Sequence, residues 1–473
     1  MKWEIVIGLE VHAELSTKSK IFCSCTTDFG GEPNTHVCPV CSGMPGSLPK
    51  LNREVLEYAI RAGIALGCTI TRNFKFDRKN YFYPDLPKAY QVSQLYAPIC
   101  TDGYMEIKTA QGTKIINIRE IHMEEDAGKL VHDSLRDSTR MDFNRCGVPL
   151  IEIVSQPDFR NSGEVIAYLE KLQEILLYLG ICDGKMHEGS LRVDVNLSVR
   201  PIGGPLGVRT EIKNLNSFRA IEKAIKYETM RQIDILEGGE QIIQETRGWD
   251  EDKGVSYGMR SKENAQDYRY FPEPDLLPVN IDDAWLENVK KNIPELAHQK
   301  RERYMHDYGI SEYEALLLTK HKNISDLFET VSGQSGEPLE AAHLIIGEIT
   351  RLMNNTNMPP EELILDEQSL SNLIKLVLTG KINRNAYKET VEAVFLHNVD
   401  PEAYITKKGL LMLTDNGVVI EAVNIVLAEN EDAVAEYRAG KKKAFSFLMG
   451  QVMKKLGGAG NPDMVKKALE DVL

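Results

Sequence analysis

The chain has 473 residues, of which 42% are hydrophobic, and a formal net charge of −14. This length can bury several cores, and the negative charge argues against a protein that coats nucleic acid non-specifically. No run of 18 apolar residues appears and nothing near the N-terminus resembles a signal peptide, so we expect no membrane span and a cytoplasmic location. Any RNA contact would need a local basic patch, such as 438–473 with eight Lys/Arg and three Asp/Glu, although solvated helix faces often have this composition.

The first predicted strand, 5–12, carries a carboxylate and an imidazole among apolar residues. Period-two alternation places the apolar side chains on one face and both Glu10 and His12 on the other, beside Gly8. Such a pair suits a divalent metal or a proton-transfer pair. A half-solvated edge strand explains the pattern equally well, so this segment alone leaves the choice open.

Four cysteines follow with the spacing of a structural zinc site. They form two close pairs separated by a short loop: Cys23 and Cys25, then Cys38 and Cys41. Four sulfur ligands leave no open position, so a zinc ion here would be structural and not catalytic. Four unrelated free cysteines are the alternative.

Two later segments hold carboxylates in unusual surroundings. His122–Lys129 packs three acids next to a histidine, and Glu152 stands alone in an apolar strand, where an unpaired charge is costly. Glu124 and Glu125 point to opposite faces if the segment is extended, so we expect only one of them to reach a shared site.

A predicted hairpin carries a further polar face. Strand 191–200 alternates throughout, which places Arg192, Asp194 and Asn196 on one face, and the return strand 208–214 adds Glu211 and Lys213. These side chains suit phosphate and metal binding. A solvated outer face is the ordinary alternative.

Two aromatic segments interleave cations with tyrosines, at 78–90 and 268–275. Such segments fit stacking against nucleic-acid bases, although tyrosines also pack ordinary loops.

The whole pattern predicts an α+β protein. Mixed helices and strands, with an antiparallel sheet, occupy 1–290, where helices are expected at 52–66, 162–179 (with Ser162 as N-cap) and 217–237. An all-α domain follows over 291–400, and a small helical tail domain over 405–473. The sequence contains no Gly-x-x-x-x-Gly-Lys-Ser/Thr loop, which excludes a P-loop NTPase.

Several long strings together resemble the B subunit of the bacterial tRNA-dependent amidotransferases, over essentially the whole chain. The matching strings are Gly8–His12, Phe76–Asp85, His122–Lys129, Pro149–Val154, Lys213–Ser217, Tyr268–Asp275 and Ala444–Lys454. The resemblance implies an N-terminal cradle domain that uses ATP and Mg²⁺ to phosphorylate the side-chain carboxylate of Glu-tRNA(Gln) or Asp-tRNA(Asn). It also implies a heterotrimer in which an amidase, the A subunit, supplies ammonia from glutamine, a small C subunit holds the two together, and the tail contacts tRNA.

Carried over by position, the family's metal and catalytic site falls on His12, Glu125 and Glu152, with Glu10 beside them as a further Mg²⁺ ligand. This set suits phosphoryl transfer, in which the metal neutralises phosphates. A second set is expected to face the nucleotide and its phosphates: Lys79, Lys88, Ser190, Arg192, Asp194 and Lys213. His187 stands where the family pattern suggests an acid, so its role is left open.

Two other classes of function fit parts of the pattern. A non-catalytic tRNA-binding scaffold would use the acidic segments only for salt bridges, and would consume no ATP. A metal-dependent hydrolase centred on Glu10 and His12 is disfavoured because no His-rich open site accompanies them. The sequence does not distinguish Glu-tRNA(Gln) from Asp-tRNA(Asn) as the substrate.

Overall fold

The computed structural model describes residues 2–133, 138–261, 268–413, 416–457 and 460–473. The chain divides into two compact units, Met1–Leu296 and Ala297–Leu473. The first is a mixed unit of strands and helices, and the second is helical. This confirms the predicted α+β fold class.

A nine-stranded sheet forms the centre of the first unit, in the order β14-β13-β12-β11-β1-β10-β7-β6-β2. All neighbours are antiparallel except β12 and β13. The strands of this unit, including three small sheets, are β1 (Trp3–Glu14), β2 (Thr69–Ile70), β3 (Asn73–Phe74), β4 (Asp77–Asn80), β5 (Tyr90–Ser93), β6 (Cys100–Thr109), β7 (Gly112–Glu125), β8 (Lys129–Asp133), β9 (Ser138–Asp142), β10 (Pro149–Ser155), β11 (Leu191–Pro201), β12 (Thr210–Lys213), β13 (Glu245–Asp250), β14 (Val255–Ser261), β15 (Phe271–Pro272) and β16 (Val279–Asn280).

The apolar side of the sheet is covered by helices. Ile7, Leu9 and Val11 of β1 are almost completely buried on that side, as their alternation predicts. Because β1 pairs with β10 on one edge and β11 on the other, it is a central strand, and the edge-strand interpretation is wrong. The helices of this unit are α1 (Arg53–Ala65), α2 (Ser162–Leu179), α3 (Phe218–Glu237) and α4 (Asp283–Lys291).

The ends of these helices follow local capping chemistry. Ser217 accepts a hydrogen bond from the Ala220 amide at the start of α3, and Gly180 ends α2 in the left-handed conformation, with φ 67°. The predicted N-cap Ser162 is wrong by one residue, because the Asn161 side chain accepts from the Glu164 amide and Ser162 is already helical.

The described residues of the second unit include two separate clusters of buried apolar side chains. One includes Phe328 and Leu373, and the other includes Val423 and Leu448. The division at 400–405 into helical and tail domains stays a prediction; Ile405 belongs to the first core, and the buried residues of the second begin at Val419. The helices are α5 (Ala297–Tyr308), α6 (Glu312–Leu318), α7 (Lys322–Ser335), α8 (Pro338–His343), a π-helical turn (Leu344–Ile349), α9 (Thr350–Thr356), a 3₁₀ turn (Pro360–Glu362), α10 (Glu367–Leu378), α11 (Arg384–His397), α12 (Pro401–Lys408), α13 (Asn416–Glu429), α14 (Glu431–Arg438), α15 (Lys442–Lys455) and α16 (Pro462–Val472).

Candidate active site on the polar face of the sheet

The face of the sheet opposite the helices carries ionisable side chains at its centre. His12 of β1 lies opposite Glu152 of β10 and Arg192 of β11, and Glu10 lies opposite Asp194. Side chains directly opposite each other on neighbouring strands share a face. The strand register therefore brings together residues that are far apart in sequence.

A histidine and two carboxylates form the first cluster. The Nε2 atom of His12 lies 3.5 Å from Oε1 of Glu124 and 3.4 Å from Oε2 of Glu152. His122 Nε2 lies 2.8 Å from the same Glu152 oxygen, and Oε2 of Glu124 is buried without a hydrogen-bond partner. One ligand atom from each of His12, Glu124 and Glu152 lies within 4.8 Å of the others. Two carboxylates and an imidazole at this spacing could hold a divalent cation, and the unpartnered oxygen gives it a ligand.

Burial and charge oppose each other in this cluster. Burial alone would lower the pKa of His12, but the carboxylates of Glu152 and Glu124 raise it to about 9. Burial would raise the pKa of Glu152, but His122 and His12 hold it well below its usual range. Without a cation, His12 is therefore protonated at neutral pH, and a bound cation would replace that proton.

Three more carboxylates form a second cluster beside the first. Oxygens of Glu10, Asp194 and Glu211 lie within 4.8 Å of one another. Lys213 forms ion pairs with Asp194 and with Glu211, the latter at 3.1 Å, and Asn196 donates a hydrogen bond to Glu10 at 3.0 Å. Burial and the nearby Glu152 carboxylate raise the pKa of Glu10. This second cluster is already partly neutralised by a lysine of the chain itself.

A cavity of about 350 Å³ borders both clusters. This is within the size range of small-molecule sites. Three cationic side chains face it, and Lys79 also lies 5.2 Å from the ring centroid of Tyr268. Its lining includes His12, Lys79, Tyr81, Gln91, Glu124, Asp126, Arg192, Asp194, Lys213, Asn214 and Asn216.

Asp126 fixes the position of one of these cations. Its carboxylate pairs with the Arg192 guanidinium at 3.0 Å and with Arg145 at 3.2 Å. Burial and the Asp126 carboxylate raise the pKa of Glu14 to about 8, so Glu14 is mostly protonated at neutral pH. Asp126 and Arg145 are absent from the set expected from the sequence, although Asp126 directly follows the two adjacent glutamates considered there.

The structure does not bring every expected residue to the cavity. Glu125 lies on the other face of the sheet, where its carboxylate accepts from the Val92 amide at 2.9 Å and pairs with Lys88. Glu124 takes the place that the resemblance gives to Glu125, because His122 is opposite Glu152 in the register and alternation leaves only Glu124 on that face. Ser190 donates hydrogen bonds to the Asp183 carboxylate and to a backbone carbonyl.

The residues expected from the sequence fall into two groups, those on the polar face or lining the cavity and those outside it. Glu10, His12 and Glu152 lie on one face, and Lys79, Arg192, Asp194 and Lys213 line the cavity. Lys88, Ser190 and Glu125 are not among its lining residues. The His187 side chain is 76% exposed and lies 3.7 Å from a carboxylate oxygen of Glu188.

The four cysteines form a compact cluster of their own. The sulfur atoms of Cys23, Cys25, Cys38 and Cys41 all lie within 4.8 Å of one another. Zinc–sulfur bonds of about 2.3 Å in a tetrahedron would separate the sulfurs by about 3.8 Å, so this set could hold zinc. The Cys38 amide donates to the Cys41 sulfur at 3.2 Å, and a hydrogen bond from Cys23 lowers the pKa of Cys41 to about 4. The chemistry and spacing of these donors fit the expected metal.

In the described ranges, none of the helices combines the length and the apolar character needed to cross a bilayer.

Similarity to known proteins covers both units. A family model described as the GatB/GatE catalytic domain matches residues 5–287, and one described as the GatB domain matches residues 326–473. The B subunit of the aspartyl/glutamyl-tRNA(Asn/Gln) amidotransferase of Lachnoclostridium phytofermentans is 56% identical over 472 residues, covering 100% of this chain and 99% of that protein. The proteins of the same name from Caldicellulosiruptor saccharolyticus and Thermoanaerobacter pseudethanolicus are 54% and 52% identical, each over 100% of this chain. The resemblance seen in the sequence is thus confirmed, and the chain belongs to the family of amidotransferase B subunits.

Proposed function

We propose that this chain is the synthetase component of a glutamine-dependent ligase that converts Glu-tRNA(Gln), Asp-tRNA(Asn) or both to the amide. Together with a glutaminase (the A subunit) and a small C subunit it would form a heterotrimer in the cytoplasm. The proposal rests on family membership and on one structural observation. The His12, Glu124 and Glu152 cluster borders a cavity of about 350 Å³ that is also lined by cationic side chains.

The first half of the reaction is phosphoryl transfer from ATP. An oxygen of the substrate's side-chain carboxylate attacks the γ-phosphorus, the bond to the bridging oxygen breaks, and ADP leaves. Lys79, Arg192 and Lys213 line the cavity, where they can bind phosphate oxygens. Their positive charges would stabilise the negative charge that develops on these oxygens during the transfer. Mg²⁺, when bound, would neutralise phosphate charge and orient the γ-phosphate for this step. His12, Glu124 and Glu152 are the residues that would hold it.

The second half is displacement of phosphate by ammonia. The nitrogen attacks the acyl-phosphate carbon, the carbon–oxygen bond to phosphate breaks, and the nitrogen loses a proton to solvent. The sequence has no Gly-Gly-Ser stretch of the amidase type, so we infer that a partner protein releases the ammonia from glutamine. The same cationic side chains would then hold the departing phosphate.

Two further roles complete the proposal. We propose that the cysteine cluster binds a zinc ion, because its four sulfurs lie close enough to share one. The role of this ion would be structural, since four sulfur ligands leave no position for a substrate. The helical tail would bind tRNA through the basic stretch 438–473, which is opposite in sign to the chain as a whole.

An assay of the purified heterotrimer tests the function. It is incubated with Glu-tRNA(Gln) or Asp-tRNA(Asn), with and without ATP, and with glutamine or ammonium as the nitrogen source. We expect amide formation only with ATP, with one ADP and one phosphate released for each amide. A tRNA-binding scaffold would release no phosphate with misacylated tRNA and ammonium, and that result would overturn the proposal. Comparing the two tRNAs identifies the substrate.

A further inference from the structure

Lys20 is a completely buried lysine next to the cysteine cluster. Its exposed fraction is 0%, whereas lysines are almost never fully buried unless they are paired. Its Nζ atom donates to the backbone carbonyl of His36 at 2.6 Å and lies 3.8 Å from the sulfur of Cys41. Its charged group is therefore held against a carbonyl and a thiol.

Lys20 contacts both halves of the cluster. Its backbone amide donates to the carbonyl of Cys25 at 3.0 Å, in the first cysteine pair, and its side chain reaches Cys41 in the second. Its side chain also packs beside Gly147, where an added Cβ would lie 3.6 Å from Lys20 Cδ and 3.5 Å from Cys41 Cβ. The lysine thus joins two chain segments that must approach each other before four sulfurs can bind one ion.

The negative charge of a zinc-loaded cysteine cluster favours a cationic side chain beside it. A zinc ion with four thiolates has a net charge of −2, and a buried group with uncompensated charge is costly. An ammonium group within reach of one sulfur reduces that net charge to −1, and its hydrogen bond to a thiolate is charge-assisted. Substituting a residue that contacts a metal ligand in this way typically lowers metal affinity by about 10- to 100-fold.

We propose that Lys20 is a positioning residue of the zinc site, which holds the Cys41 thiolate and offsets part of the charge of the loaded cluster. The inference rests on the proposed zinc site and is independent of the amidation chemistry. A purely structural role is the competing interpretation: Lys20 would satisfy the His36 carbonyl, and its loss would lower stability without changing the affinity for zinc.

Zinc competition with a chromophoric chelator, on the purified full-length chain, tests the proposal. Lys20→Met keeps most of the side-chain length and removes the charge, and Lys18→Met is the matched control because Lys18 is exposed on the same segment. We expect zinc affinity to fall about 10- to 100-fold in Lys20→Met and to stay at the wild-type value in Lys18→Met. Equal affinities in the wild type and a folded Lys20→Met would overturn the proposal.

A second measurement separates charge from packing. With cobalt in place of zinc, the sulfur-to-metal absorption bands report on the electron density of the thiolates. We expect these bands to shift in Lys20→Met and not in Lys18→Met, and unchanged bands in Lys20→Met would count against the proposal. If Lys20→Met does not fold, Lys20→Gln takes its place, since it keeps a donor for the His36 carbonyl. A wild-type chain that binds no zinc would remove both the zinc site and the role of Lys20, and would leave the amidation proposal standing.

Discussion

Two of the clusters that could hold a metal ion, among the residues that the structure describes, differ in ligand chemistry, origin and access. His12, Glu124 and Glu152 offer nitrogen and oxygen, come from three different strands, and border a cavity of about 350 Å³. The four cysteines offer only sulfur, come from one short segment, and form a closed set. Open sites with hard ligands suit chemistry on phosphates, whereas closed sulfur sites stabilise a fold. The two clusters should therefore respond differently to substitution and to chelators.

Removing a proposed metal ligand from the cluster of His12, Glu124 and Glu152, the open cluster, should have the largest effect on amidation. Glu152→Gln removes the carboxylate that both His12 and His122 contact, and we expect the amidation rate of the heterotrimer to fall on the order of 10²- to 10³-fold. Its zinc content should not change. Glu170→Gln, at an exposed position on α2, is the matched control. Full activity in a folded Glu152→Gln would contradict the assignment.

A second test of the open cluster is the pH dependence of its cation binding. The pKa of His12 is raised to about 9 in the cation-free protein, and only the neutral imidazole binds a metal. The apparent affinity for Mg²⁺ should thus rise with pH, by up to about tenfold per unit between pH 7 and 9, and level off above.

Calorimetric titration with Mg²⁺ in buffers of different ionisation enthalpy measures the protons released. Release of about one proton per cation at pH 7 is expected. Binding without proton release would show that His12 is not a ligand. The stability of the cation-free protein should depend on pH in the opposite direction to its affinity for Mg²⁺. The raised pKa of His12 stabilises the cation-free fold fully below pH 6.5, and this contribution is lost as the pH rises through about 9.

Two adjacent glutamates provide a sharper test of the same cluster. Glu124→Gln should raise the Mg²⁺ concentration needed for half-maximal amidation by about tenfold, because it removes a ligand. Glu125→Gln should leave that concentration unchanged, since Glu125 pairs with Lys88 on the other face of the sheet. Titrating amidation with Mg²⁺ at saturating ATP checks both variants. The reverse ranking would favour the assignment that the family resemblance gives.

The sequence predicts the faces of strands better than it predicts which strands meet. Alternation in β1 correctly places Glu10 and His12 opposite the apolar residues, and the hairpin of β11 and β12 is confirmed with its antiparallel register. The choice between Glu124 and Glu125 depends on the pairing of β7 with β10, which local patterns do not determine.

Other features depend on contacts between distant segments. The family resemblance places Lys88 and Ser190 at the nucleotide, but their side chains pair with Glu125 and Asp183 and do not line the cavity beside His12. The predicted all-α domain 291–400 contains a π-helical turn at Leu344–Ile349, which apolar periodicity alone does not indicate. Spacing alone, in contrast, predicts that the four cysteines lie together, as they do in the structure.

Loss of the proposed zinc ion should have the smallest effect on amidation and a clear effect on stability. Cys25→Ser removes one ligand of a closed site, and the open cluster shares none of its residues. We expect the melting temperature to fall by several degrees, because a folded-state ligand is lost, and kcat to change by less than about threefold. Thermal denaturation and the amidation assay on the same preparation measure both, with Cys68→Ser as a control outside the cluster. A fall in kcat as large as that of Glu152→Gln would mean that the two clusters do not act separately. The coupling would then run through Gly147, whose amide donates to the Asp126 carbonyl and whose carbonyl accepts from the Ile21 amide.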